Sequence, residues 1–152
     1  MTLLDRIEGA MRDAMRARDT RRTQTLRMAM AAAHNRQIEL RRALTDDELI
    51  DVLGRQVKQR RESAEVYRGV DRPDRAAEED AEAEILAEFL PRQLSADELE
   101  TLVRAAIGES GATSPSEMGR VMGRLMPQVR GRADGRRVNE AVRRLLAEEH
   151  GA

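Results

Sequence analysis

The chain has 152 residues, 36% of them charged and 40% hydrophobic, with a formal net charge of −1. That is enough for one ordinary domain or two small ones, and too apolar for a disordered segment. The absence of cysteine excludes a disulfide framework and a thiolate metal site, and no apolar run approaches the length that crosses a bilayer.

Helical periodicity runs through the whole text, and no convincing strand alternation interrupts it. Thr2 with Asp5 predicts a capped first helix with an apolar stripe of Leu3, Ile7, Ala10, Met11 and Ala14. Asp19 or Thr20 caps a second, longer helix that places Leu26, Met30, Ala33, Leu40 and Leu44 near one face. Thr45 and Glu48 form a capping box for a third helix carrying Leu49, Val52, Leu53, Val57, Ala64 and Tyr67, which ends near Gly69. Asp71 and Pro73 open a fourth, expected to bury Ala77, Ala81, Ile85, Leu86 and Phe89 and to turn its acids to solvent. Pro91 stops it.

A new capping box, Ser95 with Glu98, follows the break. Three shorter helices are expected beyond it. The first spans about residues 96–109 with Leu99, Leu102, Val103 and Ile107. The second starts after Ser114-Pro115 with Met118, Val121, Met122 and Leu125. The third is capped by Asp134 and carries Val138, Val142, Leu145 and Leu146. The expected architecture is all-α: an N-terminal bundle of about four helices over residues 1–92, then a small three-helix domain over residues 93–152. With Tyr67 and Phe89 as the only aromatics, both cores must be built from aliphatic residues and methionine.

The near-neutral total hides a segregated charge. Residues 1–44 and 101–152 carry more basic than acidic side chains, and residues 45–100 the reverse; partners feel the local field rather than the sum. The densest basic stretch is Gly119–Arg137, with Arg120, Arg124, Arg130, Arg132, Arg136 and Arg137 against one acid, Asp134. Gly119 and Gly123 share a helical face that would let another backbone come near, and Gly131 sits in a turn. Such a surface suits a polyanion, RNA first among them; a tight helix junction with a solvated arginine rim explains the same residues. The Asp134 N-cap likewise reads as a place for a phosphate or as an ordinary glycine-rich turn. Lys58, the single lysine among 27 basic residues, marks either a site that arginine cannot fill or a chance survivor on a solvated face.

Catalytic signals are missing. His34 and His150 have no metal-ligand spacing, and there is no nucleophile elbow, Walker motif or glycine-rich loop after a strand. The acidic run at residues 78–84 reads as a solvated helix face rather than a carboxylate dyad. Too few aromatics are present for base-stacking recognition of single strands, which leaves folded RNA gripped through its phosphates. No metal, no cofactor and no membrane partner is expected. The first residues carry acids and lack the h-region of a secretory signal, so the cytoplasm is the expected location.

Several stretches also carry a family resemblance. Residues 12–39, VKQRRESAEVYR at 57–68 and EFLPRQLS at 88–95 are similar to the YqeY family, small bacterial proteins. The cassette MGRVMGRLMPQVRGRADG at 118–135, with Val138-Asn139 and Leu145-Leu146, resembles the tail domain of GatB, the tRNA-binding subunit of the glutamine-dependent aspartyl/glutamyl-tRNA amidotransferase. The resemblance implies an all-α protein whose glycine–arginine cassette touches tRNA or a tRNA–protein complex, without the kinase and transamidase domains. The resulting expectation is a non-catalytic accessory protein. A helical protein-interaction adaptor and an amidotransferase-associated subunit are the alternatives.

Overall fold

The computed structural model describes residues 1–151, with side chains through Glu149; the His150 side chain lies outside the described residues. Among the described residues seven α-helices follow one another: α1 (Leu3–Arg16), α2 (Thr20–Leu40), α3 (Asp46–Gly69), α4 (Pro73–Ala87), α5 (Ala96–Ser110), α6 (Met118–Val129) and α7 (Gly135–Gly151). A 3-10 turn, Pro115–Glu117, leads into α6. Among the described residues there is no strand, and the fold is all-α.

Local chemistry sets most helix starts. Thr2/Asp5, Thr45/Glu48 and Ser95/Glu98 each form a reciprocal capping box at the head of α1, α3 and α5, satisfying two orphan backbone donors apiece. Asp19 accepts the Arg22 amide at the start of α2. Asp71 does not cap α4: that helix begins after Arg72 with no side-chain cap bond, and Asp71 itself adopts a left-handed turn with φ 56°. Pro73 supplies the start by its fixed φ at the first helical position.

The chain divides into two compact units, residues 1–90 and residues 91 onward. In the first, α1–α4 enclose a core of Leu3, Ile7, Leu26, Ala29, Ala33, Leu49, Leu53, Val57, Ala83, Leu86 and Phe89. Leu26, Leu53 and Leu86 are fully buried, so truncating any of them to alanine would cost about 2–5 kcal/mol. The Leu3 amide donates to Asp46 Oδ1 at 3.2 Å, joining the starts of α1 and α3.

Two expectations for this unit need correction. Leu44 is not part of α2, which ends at Leu40 when Arg41 takes a left-handed conformation with φ 56°. The phase of α4 also differs: Ala76, Ala83 and Leu86 are buried, Ala77 is exposed and Ala81 and Ile85 are half-buried. Alanines are spread all round α4, so the large Leu86 and Phe89 decide which side faces the core. Ala77, about two and a half turns from Leu86, is thereby turned to the opposite side. The same rotation brings Glu79 and Glu82 toward the core side.

The acidic run on α4 is therefore not a bare solvated face. Glu82 pairs with Arg60, Glu84 with Arg61, Asp80 with Arg68, Glu78 with Arg75 and Glu88 with Arg22. Partial burial and the neighbouring Glu82 raise the Glu79 carboxyl above its ordinary range.

In the second unit α5–α7 pack around Leu99, Val103, Val121, Leu125, Val138, Val142, Leu145 and Leu146, all buried, and Leu94 of the entering segment is buried in the same core. The close backbone approach expected at Gly119 and Gly123 does not occur among the described residues: a Cβ at either would meet nothing within 4 Å, and both are exposed. Val121, Leu125 and Val129 form the buried stripe of α6, and residues two positions away point to the far side. Pro127, inside α6, brings no N–H to the Gly123 carbonyl four residues earlier, so one backbone bond of the helix is not made there.

Candidate nucleic-acid interface

The basic stretch is built on the turn between α6 and α7. Gly131 has φ 70° there, a conformation glycine adopts at no steric cost. The Arg132 and Ala133 amides both return to the Val129 carbonyl, at 2.8 and 3.2 Å. The incoming segment 91–94 seals this turn from outside. The Leu94 amide donates to the Arg132 carbonyl at 2.8 Å, and Gln93 Nε2 donates to the carbonyls of Gly131 at 2.7 Å and Pro91 at 2.9 Å.

Arg132 belongs to this seam. Its Nε donates to the Arg92 carbonyl and its Nη1 to the Gln128 carbonyl, each at 3.2 Å. One guanidinium thus ties the end of α6 to the start of the unit, where a cation also favours the helix dipole. Arg92 in turn forks onto Glu98 at 2.6 and 3.0 Å. That fork, together with the Ser95 amide, holds the Glu98 carboxyl down at about 2.

Arg120 has a comparable structural duty. Its Nη2 donates at 2.8 Å to the Ser110 carbonyl, at the C-terminal end of α5 where Gly111 turns left-handed with φ 71°. Its Nη1 lies 3.6 Å from Glu117 Oε1, a carboxylate held low chiefly by the Thr113 amide. Arg124, one turn further along α6, is exposed and has no carboxylate partner among the described residues.

At the start of α7, Asp134 Oδ1 accepts the Arg136 amide at 3.0 Å. Arg136 Nε meets Glu140 at 3.3 Å in an exposed pair. Arg137 is exposed without a carboxylate partner among the described residues, as is Arg143, which sequence reasoning passed over. Arg130 is exposed at the C-cap of α6. Elsewhere in the unit, Arg104 and Arg144 share Glu100 and Glu148.

The structure therefore gathers six of the seven predicted binding residues onto α6, its turn and the head of α7. Lys58 belongs to the first unit, half-buried on α3. Asp134 is the one acid between residues 118 and 139. What this arrangement can do chemically is present planar guanidinium forks, each able to grip a phosphate with two donors. Among the described residues no group of three or more His, Asp or Glu side chains could hold a metal ion, and no helix is long and apolar enough to cross a membrane.

Fold and surface together define a class: a two-unit, all-helical protein with an arginine-rich turn in its second unit. The family model described as Yqey-like protein matches residues 4–146, and the chain belongs to the YqeY family. It is also 26% identical, over 148 residues, to a protein of Pyrenophora tritici-repentis (strain Pt-1C-BFP), "Altered inheritance of mitochondria protein 41, mitochondrial". That alignment covers 95% of this chain and 81% of the fungal protein.

Proposed function

We propose that the protein is a non-catalytic accessory factor that docks on the phosphate backbone of folded RNA, as tRNA or a tRNA–protein complex, through α6, the turn and the head of α7. One observation supports this reading most. In a unit where Arg92, Arg104, Arg120, Arg136 and Arg144 are matched to carboxylates, exposed Arg124 and Arg137 have no carboxylate partner among the described residues, and the stretch around them holds a single acid. Unmatched guanidinium groups on an acid-poor surface attract polyanions by releasing counterions. The GatB-tail resemblance makes tRNA the first RNA to try, and cytoplasmic residence belongs to the same reading.

The test is tRNA binding measured against salt for the wild type and for an Arg124→Ala/Arg137→Ala pair, neither of which holds the backbone. Each lost phosphate contact should lower the slope of log affinity against log salt by roughly 0.9 on a duplex. Equal affinity and equal slope would remove the proposal. Recovery of the protein in an organelle fraction would remove its cytoplasmic part.

A protein adaptor is the second reading, favoured by the open strip of Gly119, Gly123 and Met126 on α6, with Met126 40% exposed. Partners retained in a pull-down after RNase treatment would favour it over RNA docking. Participation in an amidotransferase has no residue of its own to recommend it; unchanged amidation of mischarged tRNA on adding the protein would end it.

A further inference from the structure

Arg60 is buried in the first unit, its side chain only 7% exposed. Its Nε donates to Glu82 Oε2 at 3.2 Å, and its Nη1 to the Oε1 and carbonyl of Gln56 at 2.9 and 3.4 Å. Nη2 has a poorer partner, the Met28 sulfur of α2 at 3.9 Å. A thioether is a weak acceptor, and a charged donor out of water gains little from it. Met28 is meanwhile 59% exposed, open to any oxidant dissolved around the protein.

We propose that Met28 is an oxidation site whose sulfoxide fastens α2 to α3 through Arg60. The oxidant class is a hydroperoxide, with hydrogen peroxide the simplest. The sulfur lone pair attacks one peroxide oxygen; the S–O bond forms as the O–O bond breaks. The departing hydroxide takes the proton of the transferred OH, leaving a neutral sulfoxide and water. Sulfur loses two electrons and the peroxide gains them. The product carries a strong acceptor oxygen beyond the sulfur, within reach of Nη2 in one sulfoxide epimer. Methionine oxidation usually loosens packing by making an apolar side chain polar. Here the polar oxygen replaces a weak acceptor at a buried cation that is already bonded to α4, so α2, α3 and α4 become joined through one guanidinium.

Tyr67 is the only tyrosine and the chain has no tryptophan, so its fluorescence reports unfolding of the first unit alone. Met28→Gln places an amide oxygen near the sulfoxide position and should raise that midpoint by about 4–8 °C. Met28→Leu should leave it within about 2 °C. Limiting hydrogen peroxide should convert Met28 early in a peptide mass map and raise the midpoint of the wild type but not of Met28→Leu. In an Arg60→Lys background the gain from glutamine should vanish; should that background not fold, the glutamine–leucine comparison still decides. A glutamine variant no more stable than the leucine one, an equal peroxide response in Met28→Leu, or a Met28 resistant to limiting peroxide overturns the proposal.

Discussion

Gln93 Nε2 donates a 2.7 Å hydrogen bond to the carbonyl of Gly131, across 38 residues of sequence. With the Leu94 amide on the Arg132 carbonyl and Arg132 Nε on the Arg92 carbonyl, it joins two stretches of unusual sequence, EFLPRQLS and VRGRADG, into one seam. The turn that carries the arginines is thus held from both sides.

Gln93→Ala should weaken that seam by about 1 kcal/mol, the worth of an ordinary hydrogen bond. The sensitive readout is amide exchange at Leu94, whose donor lies in the same seam; exchange there should quicken in the variant. Unchanged protection would mean that the backbone bonds hold the turn alone. Gly131→Ala should cost a further 1–2 kcal/mol or so, because φ 70° crowds any Cβ.

The arginines should separate into two groups on substitution by alanine. Arg120 and Arg132 donate to carbonyls at helix ends, so each loss should cost about 0.5–1 kcal/mol of unfolding free energy in denaturant titrations. Arg124 and Arg137 should stay within about 0.5 kcal/mol of the wild type. A reversed order would show that the backbone contacts carry no weight.

Three junctions of the first unit place a residue other than glycine in the left-handed region: Arg18, Arg41 and Asp71, with φ of 57°, 56° and 56°. Glycine relieves the Cβ clash but enlarges the unfolded ensemble, so Arg18→Gly and Arg41→Gly should each stabilise by up to about 1 kcal/mol. Asp71→Gly should gain less, since aspartate tolerates this conformation. Thermal midpoints followed by Tyr67 fluorescence rank the three.

Two capping boxes should make the fold acid-sensitive. Glu98 is held at about 2 by the Arg92 fork and the Ser95 amide, and Glu48 at about 2 by Arg42 and Thr45. With folded values below the ordinary 4.5, their stabilisation is complete above pH 4.5 and fades as the pH falls toward 2. Glu98→Gln should lower the helical melting temperature at pH 7, and the gap to the wild type should close near pH 2. A gap independent of pH would place the effect in the backbone rather than the charge.

Glu79 has the opposite sign. Burial raises its carboxyl, so folding is penalised once the group is ionised and relieved when it is protonated. Glu79→Gln should therefore melt higher than the wild type at pH 7, and the advantage should shrink as the pH falls toward 4.5 and be gone below it. A variant that melts lower at pH 7 would show that the carboxylate is stabilised by Arg60 more than it is penalised by burial.

What the sequence determined by itself was local or periodic. The capping pairs Thr2/Asp5, Thr45/Glu48 and Ser95/Glu98 are three residues apart, and that spacing is all a box requires. Leu99, Val103, Val121, Leu125, Val138 and Val142 recur at helical intervals with few competing apolar neighbours, so their faces were legible. The clustering of arginines from 120 to 137 was legible for the same reason, being a property of one continuous stretch.

Only the tertiary structure decided what those elements are turned toward. Alanines all round α4 leave its phase open until Leu86 and Phe89 find the core, and that rotation makes Glu82 the partner of a buried Arg60. The split between arginines that hold helix ends and arginines left without carboxylates depends on which carbonyls and acids folding brings near. Gln93 and Gly131 meet because α5 and α6 return the chain to its starting point. Helix formation depends on neighbours within one turn, whereas the partner of a side chain depends on contacts that only packing creates.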